Sequence, residues 1–133
     1  MVSSYSVFSI KKDTGNILTA NYNTLEYARN MLLSLDAMPI QKEKAAAIFE
    51  LNLKKQMANI TEVNEDQVTQ KLQSDFNILK ENQNSETIKA RIRQTIFEIM
   101  KLNMNAIKVK SDIAKHTAET ANFTIAVVGT LCF

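Results

Sequence analysis

The sequence predicts an all-α domain: an up-down-up-down antiparallel four-helix bundle with long first and fourth helices. Three observations predict it. The 133 residues contain two Gly and one Pro, too few for an all-β chain, which turns about every 8–12 residues, or for the Gly-rich loops of nucleotide-binding α/β folds. Apolar residues recur at three- and four-residue steps almost throughout. The interruptions span only about two to six residues, and such links favour antiparallel neighbours. Residues 1–133 therefore read as one domain with its first and fourth helices side by side and both chain ends at one end of the bundle.

The first helix is expected over residues 4–36. Leu18, Tyr22, Leu25, Leu32 and Leu35 define its apolar stripe, while Asn21, Asn23, Glu26, Arg29 and Asn30 fill much of the rest. Gly15 is its weak point, costing about 1 kcal/mol relative to Ala. Asp36-Ala37-Met38-Pro39 reads as an end and a fresh start, because the residue before Pro is pushed away from helical angles and Pro suits a first helical turn. The second helix is placed at 39–60, with Ile40, Ala47, Leu51, Leu53, Met57 and Ile60 opposed by Lys42, Lys44, Glu50, Lys54 and Lys55.

Asn59 to Asp66 shows no stripe and reads as a loop in which Thr61 or Asn64 caps the third helix. That helix covers 65–81, with Val68, Leu72, Phe76 and Leu79 as its stripe. Glu65 and Asp66 fall in its first turn, where the helix dipole favours negative charge. Glu81-Asn82-Gln83-Asn84 breaks the pattern, and Ser85 followed by Glu86 is a good start for the fourth helix at 85–133. Ile88, Ile92, Ile96, Ile99, Leu102, Ala106, Ile107 and Ile113 run along it. Unbroken, it measures roughly 70 Å, more than a compact domain of this size needs.

Composition removes several classes of chemistry. Sixteen basic residues against fourteen acidic ones leave a net charge of +2, with signs mixed along the chain, which gives no case for nucleic-acid binding. One Cys excludes an intrachain disulfide, and one His with one Cys excludes the usual His/Cys zinc sites. No Glu-x-x-His pair exists for a di-iron bundle, and neither His116 nor Cys132 lies near a nucleophile elbow. The reading assigns no catalytic residue, no metal and no cofactor. Glu62, Glu65 and Asp66 are read as exposed capping acids. Arg29, Arg91 and Arg93, with Lys89 beside them, are candidates for binding a carboxylate or phosphate through forked hydrogen bonds; the plainer reading is a solvated face. Met31, Met38, Met57, Met100 and Met104 read as core filler.

The ends carry the strongest functional clue. Residues 120–133 hold no charge, and hydrophobic residues surround the helix there rather than forming a stripe. A bilayer span needs about 20 such residues, so 123–133 reads as the start of a membrane helix cut off at the end of this chain; a buried terminus is the alternative. Tyr5, Val7, Phe8 and Ile10 before Lys11 and Lys12 suit a membrane helix leaving through an aromatic belt. No signal-peptide pattern is present.

Residues 17–32, with Asn21-Tyr22-Asn23-Thr24, then Ala28 and Met31-Leu32, resemble the first helix of extracytoplasmic four-helix-bundle sensor domains in bacterial membrane histidine kinases. Asn59-Ile60-Thr61-Glu62, with Glu65 shortly after, resembles the loop before the third helix of that group; Asp75-Phe76 with Leu79 matches a stretch that recurs there. Residues 118–130 resemble the start of a second membrane helix that leads to a HAMP linker. The resemblance implies a periplasmic sensing domain of a two-component system, anchored in the inner membrane by its flanking helices. It implies a homodimer that passes an unidentified stimulus to cytoplasmic kinase parts lying outside this chain. Helical bundles of chemotaxis receptors share much of the pattern, and a non-enzymatic structural or interaction bundle is the reading from another class. On this view the apolar residues of the first and fourth stripes, Leu18, Tyr22, Leu25, Ile99, Ile107 and Ile113, transmit the signal. His116 lacks the following acidic residue and Pro of a phosphoacceptor motif and reads as solvated or interfacial.

Overall fold

The computed structural model describes the backbone of residues 2–82 and 84–132, and the side chains of residues 18–82, 84–113, 115 and 116. It contains four helices: α1 (Val2–Ala37), α2 (Lys42–Met57), α3 (Glu65–Glu81) and α4 (Glu86–Cys132). There is no strand among the described residues. α1 packs along α2 and α4, α3 packs along α4, and α2 and α3 touch more lightly. The packing is that of a helical bundle.

Two boundaries depart from the sequence expectation. α2 begins at Lys42 rather than Pro39, because Met38–Gln41 folds back as a turn: the N–H groups of Ile40 and Gln41 both donate to the Ala37 carbonyl, at 3.1 and 2.9 Å. Pro39 restricts Met38 and has no N–H of its own, so it serves the turn better than the helix. α2 also ends at Met57 rather than Ile60. Asn59 turns away to donate from Nδ2 to the Ala20 carbonyl (2.7 Å) and to Thr24 Oγ1 (2.9 Å) on α1, which ties the α2–α3 connector to the first helix.

The other boundaries follow the local chemistry. Ser85 Oγ accepts from the Ile88 N–H at 3.3 Å, capping α4 as expected. At the start of α3, Asn64 takes a left-handed φ of 72° and its side chain makes no capping bond. Glu65 Oε1 instead accepts the backbone N–H groups of Thr61 and Glu62, each at 3.1 Å.

The buried residues repeat at alternating steps of three and four. On α1 the repeat runs through Asn21, Thr24, Ala28, Met31 and Leu35, and on α4 through Lys89, Ile92, Ile96, Ile99, Asn103 and Ala106, with Ser34 and Thr95 buried beside it. α2 contributes Ala45, Phe49, Asn52 and Gln56 at the same spacing, and α3 contributes Glu65, Thr69, Leu72, Phe76 and Leu79. A repeat near 3.5 residues is that of helices wound side by side. The apolar centre is anchored where Phe49 and Phe76 stack with centroids 4.4 Å apart.

This phase corrects the expected stripe on α1. Tyr22 is 57% exposed, and Leu18 and Leu25 are only half-buried. The inner seam lies one residue away because Asn21 and Thr24 find buried hydrogen-bond partners there. On α4, Ile99 is fully buried as expected, Ile107 is half-buried, and Ile113 is exposed. Met31 and Met38 fill the core, whereas Met57 and Met104 face outward. Among the described residues, no helix is long and apolar enough to cross a membrane. The readings of residues 123–133 as a cut membrane helix, and of Tyr5, Val7, Phe8 and Ile10 as an exit through a belt, lie outside the described side chains.

Candidate functional site

The expected anion site does not assemble. Arg91 pairs with Asp75 on α3, while Arg93 pairs with Asp36 on α1 at 3.1 Å, so the two point to opposite flanks of α4. Arg29 is exposed. Lys89 is buried, with Glu86 at 3.6 Å one turn earlier on its own helix. Lys89, Arg91 and Arg93 thus each have their own carboxylate, and none of the three is left to converge on a ligand. His116 is exposed, in keeping with its solvated reading. Among the described residues, no group of three or more His, Cys, Asp or Glu side chains is placed to hold a metal ion.

The structure instead builds a polar layer between the helices. Lys110 Nζ on α4 donates to Asn21 Oδ1 on α1 at 2.7 Å. Asn21 Nδ2 donates to Asn103 Oδ1 on α4 at 2.8 Å, and Asn103 Nδ2 donates to Glu65 Oε2 on α3 at 3.0 Å. Gln56 Nε2 on α2 donates to the same Glu65 oxygen at 2.7 Å. All four helices therefore meet through one chain of donors running from an ammonium to a carboxylate, an order in which each bond polarises the next. Asn21, Gln56, Glu65 and Asn103 are all fully buried.

The connector closes this layer. Glu62 Oε2 accepts from Thr61 Oγ1 (2.7 Å), Asn21 Nδ2 (3.0 Å) and Lys110 Nζ (3.0 Å). Burial pushes the Glu62 carboxyl up, but the bonds from Thr61, Asn21 and Lys110, with the Lys110 charge, outweigh it and hold it below the usual carboxylate range. The Glu62–Lys110 pair is partly wet, with side chains 19% and 22% exposed. Gln56 Oε1, inside the layer, is a buried acceptor with no partner.

The expectation of exposed capping acids thus fails for Glu65, which is fully buried, and for Glu62, which is half-buried. Four N–H donors, not solvent, surround Glu65: two from the connector that precedes its helix and two from the side-chain amides of Gln56 and Asn103. The signal that reveals the layer is the spacing of Asn21, Asn103 and Lys110 on the three-four repeat of the inner seams, where an apolar residue is the rule. Asn21 with Thr24, and Asn59 with Thr61, Glu62 and Glu65, lie in two of the four stretches named above for their resemblance to sensor domains, and here they touch.

Comparisons with protein families, with curated proteins and with solved structures find no match for this chain.

Proposed function

We propose that this chain is the extracytoplasmic sensing domain of a membrane histidine kinase, with its first and fourth helices passing a conformational signal towards cytoplasmic HAMP and kinase parts. The observation that carries this reading is the polar layer. It joins α1, α4 and the α2–α3 connector through hydrogen bonds rather than through the apolar core, so a shift of α4 against α1 exchanges discrete partners. The half-buried Leu18, Leu25 and Ile107 and the buried Ile99 are the transmitting apolar contacts in this scheme. Tyr22 and Ile113 stand outside it.

The proposal includes an up-down-up-down course, and what supports it is that paired residues run in opposite directions along neighbouring helices. Asn21 meets Asn103 while Asp36 meets Arg93, and Glu50 meets Lys80 while Gln56 meets Glu65. A homodimer is part of the proposal. One residue outward from the inner seams, Tyr22 on α1 and Phe97 and Met104 on α4 are more than half exposed, and Met100 and Ile107 lie between them in register. That row flanks the α1–α4 seam and offers a second copy an apolar strip.

The complete reading frame tests the proposal. It should encode membrane helices on both sides and a kinase core, and Asn103→Ala or Lys110→Ala in the membrane-bound protein should change ATP-dependent autophosphorylation several-fold. A long methyl-accepting coiled coil in place of the kinase core would assign the domain to a chemotaxis receptor. A frame that begins at Met1 and ends at Phe133 would replace the receptor reading with a free-standing interaction bundle.

A further inference from the structure

The wet flank of the polar layer opens into a cleft of about 330 Å³ between α4 and the connector. Leu102, Ala106 and Val109 line its α4 side and Val63 its connector side. Val63 is 84% exposed and Val109 is 56% exposed, so two aliphatic side chains stand in water at the mouth. The left-handed Asn64 and the grip of Glu65 on two connector N–H groups hold Val63 in that wall.

The polar groups of the cleft select for charge. Glu62 Oε2 already accepts three hydrogen bonds, whereas Glu62 Oε1 has no donor among the described residues. Asn105 lines the same cleft, is exposed, and its side-chain amide has no partner among the described residues. The charged residues that line the cleft are Glu62 and Lys110, and the Lys110 ammonium already donates to Asn21 and to Glu62 Oε2. With that ammonium already engaged, a cation with N–H groups finds two idle acceptors and a hydrocarbon wall.

We propose that this cleft binds a small organic ammonium ion, its N–H groups on Glu62 Oε1 and Asn105 Oδ1 and its apolar body against Leu102, Ala106, Val109 and Val63. The proposal deepens the sensing reading by naming a ligand class, and it rests on that reading only for its consequence. Binding would draw on the carboxylate that holds Lys110 and Asn21, and so would bear on the α1–α4 joint.

Calorimetric titration of the 133-residue chain at low salt tests it, with benzylammonium as the probe and benzoate and tetramethylammonium as controls. Benzylammonium should saturate and raise the melting temperature; benzoate should do neither, and tetramethylammonium, lacking N–H donors, should bind at least about tenfold more weakly. Glu62→Gln should weaken benzylammonium about tenfold or more. Because that change also touches the layer, two exposed positions carry the test independently: Asn105→Asp should tighten binding several-fold, and Val109→Arg should abolish it. The proposal is overturned if benzylammonium does not saturate, if benzoate binds equally well, or if Asn105→Asp and Val109→Arg leave the dissociation constant unchanged. No membrane or kinase enters the measurement, so a failed titration removes the cleft and leaves the sensing reading standing. A reading frame without a receptor does the reverse.

Discussion

Replacing Glu65 by Ala is the sharpest perturbation of the layer. The carboxylate accepts from Gln56 Nε2 at 2.7 Å, Asn103 Nδ2 at 3.0 Å, and the Thr61 and Glu62 N–H groups at 3.1 Å each. Gln56 and Asn103 are 0% exposed, so neither amide reaches water when its acceptor is deleted. Each buried donor left unmade costs about 1–3 kcal/mol, or about 2–6 kcal/mol for the two. The connector N–H groups, which lie nearer solvent, add little. Against a total of about 5–15 kcal/mol for an ordinary domain, that loss is large, and it should lower the melting temperature by roughly 10–20 °C. Urea denaturation followed by circular dichroism measures it as a fall in midpoint at unchanged slope. Glu65→Gln should cost less, because Gln56 Oε1 has no partner and an amide flip there turns one donor–donor conflict into a hydrogen bond. If Glu65→Ala loses under about 1 kcal/mol, no more than Asp66→Ala at the exposed neighbouring position, the layer does not hold the helices together.

Glu62 makes a prediction about pH. Its folded-state pKa is held below the ordinary value, so its stabilisation is complete above the usual carboxylate range, near pH ~4.3, and disappears as pH falls through the lower folded value. Stability of the wild type minus that of Glu62→Gln should be flat from pH 6 to 8 and shrink in acid; a difference independent of pH down to about 2 would contradict the Glu62–Lys110 contact. Phe76→Ala should destabilise by about 3–5 kcal/mol, because the ring is fully buried and stacked on Phe49, a loss read in the same urea assay. Ser85→Ala should remove about 1 kcal/mol by deleting the cap on Ile88 N–H, with Ser85→Asp restoring it. Tyr22→Ser combined with Phe97→Ser and Met104→Ser should abolish self-association in sedimentation while leaving the urea midpoint nearly unchanged, since all three side chains are more than half exposed.

Local chemistry made most of the fold legible. Ser85 and the acidic first turn of α3 mark helix starts that depend on neighbours within a few residues, and the scarcity of Gly and Pro left little room for anything but helices. The α1 seam was harder to phase. Leu18, Leu25 and Leu32 are half-buried beside the inner seam and Tyr22 is exposed, while the core receives Asn21 and Thr24 instead. Hydrophobicity ranks an Asn as a surface residue unless its partners are known, and those of Asn21 lie far along the chain, at Thr61, Glu62, Asn103 and Lys110, as does the Asn59 that bonds Thr24. The same blindness made Glu65 look like an exposed capping acid. Arg91 and Arg93 failed in the opposite sense, since proximity in sequence suggested a cluster while two residues of helical rotation sent them to α3 and α1.

The polar layer weakens the case for the bundle as a mere spacer. An apolar seam of Ile and Leu tolerates small shifts, because one methyl contact replaces another at little cost. The chain from Lys110 through Asn21 and Asn103 to Glu65 does not, since a displacement of about one helical turn, 5.4 Å, strands the buried carboxylate and its amides together. Buried polar groups that fix register generally do so at some expense in stability, and here that expense falls where the first helix, the fourth helix and the connector meet. The Phe49–Phe76 stack supports the opposite half of the core without any such constraint. The molecule is thus specified most sharply at the end from which α1 and α4 extend beyond the other two helices, and there Glu62 is hydrogen-bonded to both of them, to α1 at Asn21 and to α4 at Lys110.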